Sequence, residues 1–352
     1  MLKKSHKLDL TEFELQELGT TSKKVSFLTP LAKEESTSWF VYMQIVFIAI
    51  AVKVIQPLAI GYAKNDDGSY RFNESTMVLL VEIVKVIFCA CVFAVQYKRA
   101  EDEDKHELYN LPFKQSLHFF IPALLYTASN TLVYFGMSYI NPGLFIVFGN
   151  TRILIAGILY RFMMGKTQTD LQWLSLFLIA AGAVLSSPAS DNKDGRDNYI
   201  LGLFFVIIMS ICSTSASIYT EKYFKQTQKL SIFYQNIVLY IYGIILNIFV
   251  IIFLRQSDKG LLDGFDQAGC MVLAAQSLMG ISLSFIFKYL DNIVYVIALT
   301  VAMLITAIFS MAFFELSPTI GFFCSMVIII VGIYLFYRSK LFEKLNIKEI
   351  VF

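Results

Sequence analysis

Ten stretches of mainly apolar residues constrain the fold of this chain most strongly, because a bilayer span needs about 20 such residues. A chain with 57% hydrophobic and 16% charged residues also departs from soluble domains, which are about half apolar and a quarter charged. Lipid leaves no backbone group unpaired, so we predict an all-α polytopic membrane protein with ten transmembrane helices. The predicted spans are 39–61, 75–97, 116–139, 142–164, 168–187, 200–222, 231–254, 267–289, 292–314 and 317–337.

The distribution of basic residues predicts the orientation. With the N-terminus in the cytosol, 20 of the 29 Lys and Arg residues fall on the cytosolic side, 6 fall outside and three lie within spans. This excess follows the positive-inside rule and predicts that both termini are cytosolic. Residues 1–37 are then a disordered cytosolic tail and residues 339–352 a cytosolic C-terminal tail. We expect the acidic run 101–104 to be a solvated cytosolic loop.

A weak internal repeat relates the two halves of the chain at an offset of 150 residues. Gly182 matches Gly332, Leu185 matches Leu335, and similar matches occur elsewhere in the fourth and fifth spans of each half. Five spans per half is an odd number, so the two halves enter the bilayer in opposite directions. We therefore predict a five-plus-five inverted repeat, with a first repeat at 38–190 and a second at 199–338. Such repeats are typical of secondary transporters that bind substrate near the midplane.

Four ionisable residues lie deep inside the predicted spans, away from their ends, where each costs about 2.5–3.5 kcal/mol to insert. They are Lys53, Glu82, Lys85 and Arg152, with an excess of two positive charges. Lys85 and Arg152 fall near the midplane, and Glu82 shares a helix face with Lys85 because it lies three residues earlier. This excess charge predicts a pocket for a dianionic ligand, since arginine binds phosphate bidentately. Two alternatives stay open: Glu82 and Lys85 form a purely structural pair, or Lys53 extends to the lumenal interface.

Aromatic and amide side chains occur on the same spans. Buried amides need hydrogen-bond partners, which a base or a sugar ring could supply. Hydrogen bonds between helices are the alternative. The candidates are Tyr126, Asn130, Asn150, Tyr219, Asn236 and Tyr240.

Other classes of function find little support in the sequence. A net charge of +2 does not favour nucleic acid binding. The five cysteines lie in apolar runs without zinc spacing, and none of the three histidines lies deep in a span. We find no convincing catalytic set, so we expect neither an enzyme nor a cofactor nor a metal site.

Five motifs in order resemble the nucleotide-sugar transporter family, in particular its CMP-sialic acid and UDP-galactose transporter branch. The segment 287–294, which contains Lys288 and Asn292, resembles the family's "KYADNI" signature. The segment 82–85 resembles "EVIK", and the start of the third span resembles "PALLY". The stretches around Tyr219 and Asn236 resemble "VYFEK" and "NIQLY". The resemblance covers about residues 40–340.

The resemblance implies ten helices and exchange of a cytosolic nucleotide sugar for a lumenal nucleoside monophosphate, in a Golgi or endoplasmic reticulum membrane. It places Lys85 and Arg152 at the phosphates of the ligand. Tyr126, Asn130 and Asn236 fall at positions that resemble nucleotide contacts.

Two departures from the family pattern affect the expected pocket. Arg152 replaces a family lysine, and Tyr295 stands where the family carries another lysine, whose charge Lys53 could replace. A carrier of another phosphorylated anion, or a non-transporting membrane scaffold, therefore stays open. Small residues such as Gly61 and Gly332 would allow packing within one chain or between the copies of a homodimer.

Overall fold

A computed structural model gives the architecture of most of the chain. It describes residues 39–63, 72–139, 148–185, 199–254, 260, 263–314 and 320–344. The predicted tail at 1–37, the end of the C-terminal tail and the connection between the predicted repeats lie outside these ranges.

The described residues form α-helices joined by turns, without a β-strand. The all-α prediction is therefore confirmed for this part of the chain. In chain order the helices are α1 (Trp39–Tyr62), α2 (Glu74–Arg99), α3 (Asp102–Tyr109), α4 (Phe113–Tyr139), α5 (Arg152–Met164), α6 (Asp170–Leu185), α7 (Tyr199–Gln226), α8 (Ile232–Leu254), α9 (Gln267–Tyr289), α10 (Asn292–Phe314) and α11 (Ile320–Lys344).

Five of these helices are long and apolar enough to cross a membrane, counting only the residues that the structure describes: α1, α2, α7, α8 and α9. Shorter apolar segments lie in α6, α10 and α11. The outward surfaces of the helices carry large exposed apolar side chains, such as Phe47 of α1 and Phe249 and Ile252 of α8, which a lipid environment would cover. This is the architecture of a multi-pass membrane protein.

Two predicted boundaries differ from the structure. The acidic run 101–104 is not a loop, because α3 begins at Asp102 and buries Leu108 against the bundle. Charged residues surround Leu108 in the sequence, so its apolar contact could not be recognised there. The Leu108 backbone oxygen also accepts a hydrogen bond from the Ser231 nitrogen at 3.1 Å. At the other boundary, α11 continues to Lys344, into the predicted tail.

The predicted span 142–164 is not one continuous helix in its described part. Residues 150 and 151 form a turn, and α5 begins at Arg152. The backbone nitrogens of Thr151, Ile153 and Leu154 bond to oxygens three residues earlier, which is the tighter 3₁₀ pattern. The Thr151 hydroxyl also donates to the Phe148 oxygen at 2.6 Å. The turn therefore places Arg152 at a helix N-terminus.

Helices from the two halves of the sequence pack against each other throughout the bundle. The most extensive contacts join α4 with α7, α6 with α11, α2 with α8, and α1 with α9. Each of these pairs takes one helix from before residue 190 and one from after residue 198. Neither half is therefore a separate body with its own core.

The α6–α11 contact is reciprocal. A Cβ atom on Gly182 would lie 2.6 Å from Ile329, and one on Gly332 would lie 2.8 Å from Ile179. The backbone oxygens of Ser325 and Ser175 complete the two contacts, each at 3.2 Å. The two glycines, the two isoleucines and the two serines are each 150 positions apart. Glycine is needed at both positions because any side chain would overlap the facing helix.

Four connections lie together at one end of the bundle, which we call the α7–α8 end: residues 100–112, 165–169, 227–231 and 290–291. Aromatic residues fill the interior above these connections, and Phe119 meets the Tyr223 ring edge-on at 4.9 Å. Phe224 and Phe287 belong to the same buried cluster. At the opposite end, Phe72 contacts Phe265 at 6.3 Å between ring centres.

Candidate functional site

A cavity of about 440 Å³ lies at the centre of the bundle, and we call it the central cavity. Its walls come from α1, α2, α4, α7, α8 and α9, with the side chain of Phe72 towards the opposite end and Phe287 towards the α7–α8 end. The volume falls within the range of about 300–1,000 Å³ found for ligand sites. Five of the predicted site residues line it: Glu82, Lys85, Tyr126, Asn130 and Tyr240.

An ion pair lies in the wall of this cavity. Lys85 Nζ donates to Glu82 Oε1 at 2.6 Å, so the predicted pairing of these residues is confirmed. The lysine ammonium also lies 4.0 Å from the centre of the Tyr240 ring, in cation–π geometry. Lys85 is only 7% exposed, so little water solvates its charge. One carboxylate and one aromatic face stabilise the ammonium group instead.

Two glycines allow the ion pair to fit. A Cβ atom on Gly280 of α9 would lie 2.8 Å from Lys85 Cδ, and one on Gly243 of α8 would lie 3.1 Å from Glu82 Oε2. Three helices therefore approach closely around the two charged side chains. The close approach fixes the position of the ammonium group.

Hydroxyl groups hold the aromatic part of the wall. Tyr240 donates to the Gly280 oxygen at 3.2 Å and lies 3.1 Å from Ser284 Oγ. The Tyr126 hydroxyl lies near the Thr220 hydroxyl across the α4–α7 interface. These contacts leave aromatic faces and hydroxyls beside the cavity, where they could stack on a ring or bond a sugar.

Two further predicted cations lie near one another but outside the cavity wall. Lys53 and Tyr295 each lie close enough to Arg152 for an electrostatic interaction. Lys53 donates to Gln56 at 2.8 Å, and Gln56 lines the cavity. Arg152 Nε donates to the Gly149 oxygen at 3.1 Å. Two like charges held together inside a membrane protein attract an anion.

Two further predicted residues make side-chain hydrogen bonds within the protein, and a third makes none in the part of the chain that the structure describes. Asn150 donates to the Ala183 oxygen at 3.3 Å, and the Tyr219 hydroxyl lies 2.9 Å from His118 Nδ1. Asn236 is fully buried on α8, and its side chain has no hydrogen-bond partner among the described residues.

The two residues of the 287–294 signature lie at the α7–α8 end. Lys288 donates to the Leu230 oxygen at 2.6 Å and to Gln235 Oε1 at 3.2 Å. The Asn292 backbone nitrogen donates to Glu221 Oε2 at 2.7 Å. Neither residue lines the central cavity.

Sequence reasoning did not select several polar residues that line the cavity, namely Gln56, Thr127, Thr220, Asn247, Gln276 and Ser284. Three of these are amides inside apolar spans, and an amide there is a detectable signal because it needs a partner. The hydroxyl residues carry no such signal, since serine and threonine satisfy themselves on their own helix backbone.

A cavity at the centre of a multi-pass helical bundle, with walls from both halves of the chain that carry charged and polar side chains among apolar ones, is the arrangement of a membrane transport protein. The sequence profile of the nucleotide-sugar transporter family matches residues 36–337. The chain therefore belongs to the nucleotide-sugar transporter family, and it is a transporter by family rather than an enzyme.

Relatives from plants extend this assignment. Proteins named CMP-sialic acid transporter 2 from Oryza sativa subsp. indica and subsp. japonica are each 28% identical over 329 residues, covering 92% of this chain and 91% of their own length. CMP-sialic acid transporter 4 of Arabidopsis thaliana is 28% identical over 289 residues, covering 81% of this chain and 82% of its own length.

A solved crystal structure is similar in fold, with a TM-score of 0.63 at 13% sequence identity. The match covers 85% of this chain and 96% of the other. At this identity the likeness concerns the fold alone.

Proposed function

We propose that this protein is an antiporter that moves a cytosolic nucleotide sugar into the lumen of the Golgi apparatus or endoplasmic reticulum. A nucleoside monophosphate leaves the lumen in exchange. The observation that carries the proposal is the central cavity, in which an intramembrane ion pair lies beside aromatic and amide side chains. A nucleotide sugar combines the corresponding chemistry: phosphate, a flat base and hydroxyl groups.

The proposed topology has ten transmembrane helices, with cytosolic termini and inverted repeats at 38–190 and 199–338. The pattern of helix contacts supports it. An inverted repeat exchanges α1 with α7, α2 with α8, α4 with α9, α5 with α10 and α6 with α11. Under this exchange the α1–α9 contact becomes the α7–α4 contact, and the α1–α10 contact becomes the α7–α5 contact. The α2–α8 and α6–α11 contacts become themselves, as the reciprocal glycine contact requires.

We propose that the cations bind the phosphates of the ligand. Lys85 lines the cavity, while Lys53 and Arg152 lie beside Gln56 and Tyr295 near its wall. Lys53 then replaces the positive charge that the family carries at the position of Tyr295. With Glu82 the set retains an excess of two positive charges, which a dianionic ligand neutralises.

The base and sugar would contact the polar wall formed by Tyr126, Asn130 and Tyr240. We assign Lys288, Asn150 and Tyr219 to holding the helices together, because their side chains hydrogen-bond other parts of the protein. Asn292 contributes through its backbone nitrogen, which donates to Glu221.

Neutralisation of the pocket also explains why exchange would be obligatory. An empty carrier with two excess charges reorients poorly through the apolar bundle, whereas the liganded carrier does not carry that penalty. A ligand shifts the equilibrium between states only by its difference in affinity for them. Either nucleotide would satisfy this condition, so transport in one direction requires transport in the other.

The test is uptake of labelled nucleotide sugars into liposomes that contain the purified protein. We expect uptake to rise severalfold when the liposomes are loaded with the matching nucleoside monophosphate. Equal uptake with and without internal nucleotide would refute exchange. Liposomes without protein, loaded identically, provide the control.

Two alternatives predict different results in this assay. A carrier of another phosphorylated anion would take up triose phosphate or a similar solute and ignore nucleotide sugars; the cationic pocket alone is compatible with this. A non-transporting scaffold would show no uptake and no ligand-dependent rise in melting temperature. A true ligand at 100 times its Kd adds about 2.7 kcal/mol of apparent stability.

A further inference from the structure

A buried carboxylate joins three helices at the α7–α8 end. Glu221 of α7 is fully buried, and its Oε1 accepts hydrogen bonds from the Tyr160 hydroxyl of α5 at 2.8 Å and from Lys225 Nζ at 2.7 Å. Its Oε2 accepts from the backbone nitrogen of Asn292, the first residue of α10, at 2.7 Å. Both carboxylate oxygens are thus occupied. Removal of a partner would leave a buried charge poorly compensated, which is costly in a dry interior.

The Tyr160–Glu221 bond connects the two halves of the chain, and further polar contacts at the same end do so as well. Lys222 Nζ donates to the Met163 oxygen at 2.9 Å, and the Tyr223 hydroxyl donates to the Gln115 oxygen at 2.8 Å. The Ser231 hydroxyl donates to Gln96 Oε1 at 2.6 Å. The aromatic cluster that contains Phe119 and Tyr223 fills the space behind these contacts. The α7–α8 end is therefore closed by directional bonds as well as by apolar packing.

The central cavity lies directly beside this closure. Thr220, the residue before Glu221, lines the cavity, and so does Phe287, the residue before Lys288. Lys288 itself bonds the α7–α8 turn through the Leu230 oxygen. A ligand that moves Thr220 or Phe287 therefore also displaces the next residue, Glu221 or Lys288, which takes part in the closure. The connection is short enough for occupancy of the cavity to bias the closure.

We propose that Glu221 is a latch that keeps the α7–α8 end shut, and that the Tyr160–Glu221 bond must break before the cavity opens there. The inference rests on the proposed exchange by alternating access, in which the cavity opens first at one end of the bundle and then at the other. In this structure the latch is engaged. In the alternate state Tyr160 separates from Glu221 as the first half moves relative to the second, whereas the bonds to Lys225 and Asn292 stay intact within the second half. The carboxylate therefore keeps two donors in both states.

Cys89 provides a native reporter of this opening. It is fully buried in the aromatic cluster at the α7–α8 end and does not line the central cavity. A cysteine introduced by Val78→Cys reports the opposite end, because Val78 lines the cavity there. Peptide mass spectrometry separates both from Cys212, Cys270 and Cys324, and fragment ions distinguish Cys89 from Cys91, which lies on the same peptide. The experiment measures the maleimide labelling rates of Cys89 and of the introduced cysteine in the purified full chain.

Tyr160→Phe removes only the hydroxyl that bonds Glu221 from the other half of the chain. We expect Cys89 to label about tenfold faster, because a hydrogen bond to a charged group shifts an equilibrium by at least that factor. The cysteine introduced at Val78 should label more slowly, since opening one end closes the other. Glu221→Gln should act in the same direction. Tyr234→Phe is the matched control, because its ring packs at the same end and its hydroxyl makes no hydrogen bond among the described residues.

Two results would overturn the latch. Unchanged labelling of Cys89 in both Tyr160→Phe and Glu221→Gln would mean that the bond does not hold this end closed. Faster labelling at both ends would mean that the substitutions loosen the fold without opening a gate. The labelling needs no substrate, so it can fail while exchange in liposomes succeeds, and the reverse.

Discussion

Gly280→Ala provides a direct test of the geometry around Lys85. The new methyl carbon would lie 2.8 Å from Lys85 Cδ and 3.2 Å from Lys85 Nζ. Non-bonded carbon atoms are most stable about 3.5–4.0 Å apart, so the lysine side chain has to retreat by about 1 Å. The middle of the side chain is obstructed, and Glu82 and Tyr240 hold its end. Moving to another rotamer therefore sacrifices one of these two contacts.

The expected magnitude follows from those contacts. Overpacking of this kind typically costs about 1–3 kcal/mol. In this structure the overlap is relieved mainly by displacement of the Lys85 ammonium group, because the flexible lysine side chain moves more easily than the helix backbone. If the displaced ammonium no longer reaches a ligand phosphate, affinity falls about tenfold for every 1.4 kcal/mol lost. We expect the Kd to rise about tenfold while the unliganded melting temperature changes little.

The assay is ligand-dependent thermal shift in detergent, titrated with the nucleoside monophosphate that stabilises the parent protein most. Exchange in liposomes provides a second readout. Gly269→Ala on the same helix is the matched control, since its new Cβ would meet Phe72 at an ordinary 3.4 Å. A Gly280→Ala protein that is folded and binds with unchanged Kd would refute the reasoning, because Lys85 could then not be part of the binding surface.

Three further outcomes test other parts of the description. Arg152→Ala should lose most exchange in liposomes and Arg152→Lys should retain part of it, because only the second keeps the charge; full activity of the alanine variant would exclude Arg152 from the site. Gly182→Ala and Gly332→Ala should each destabilise the protein by about 1–3 kcal/mol and to a similar extent, since their contacts are reciprocal. Clearly unequal melting temperatures of the two variants would contradict this. The segment 73–75 has the Asn-X-Ser pattern of a glycosylation sequon. Asn73 should nevertheless carry no glycan, because it is buried and accepts a hydrogen bond from the Thr76 nitrogen at 3.2 Å to cap α2. A mobility shift after glycosidase treatment, absent in Asn73→Asp, would show that this cap opens.

The helices were predictable because apolar runs of span length have few alternatives in a bilayer. The run 231–254 became α8 almost residue for residue. The turn at Asn150 and Thr151 was missed because Gly149 and the polar residues that follow it interrupt a run that is otherwise long and apolar enough for one helix. Helix α3 was missed for the opposite reason, because one buried leucine among charged residues gives no periodic signal.

The site was partly predictable. The spacing of Glu82 and Lys85 on one helix was sufficient to predict their contact. The proximity of Lys53 to Arg152 could not be read from the sequence, because it depends on how α1 packs against helices that are distant along the chain. The same is true of Gln56 and Gln276, which reach the cavity from opposite halves. A polar residue in a span indicates that a partner exists, whereas its identity depends on tertiary packing.

The reciprocal contact between α6 and α11 has a consequence for how the two transport states compare in energy. If the states differ by an exchange of conformations between the repeats, any contact that maps onto itself is common to both and favours neither. The α6–α11 contact is of this kind, so strengthening or weakening it would change overall stability without changing the preferred direction of opening. The α4–α7 and α1–α9 contacts map onto each other instead. The sequence differences between these two contacts then determine which of the two openings has the lower free energy when no ligand is bound.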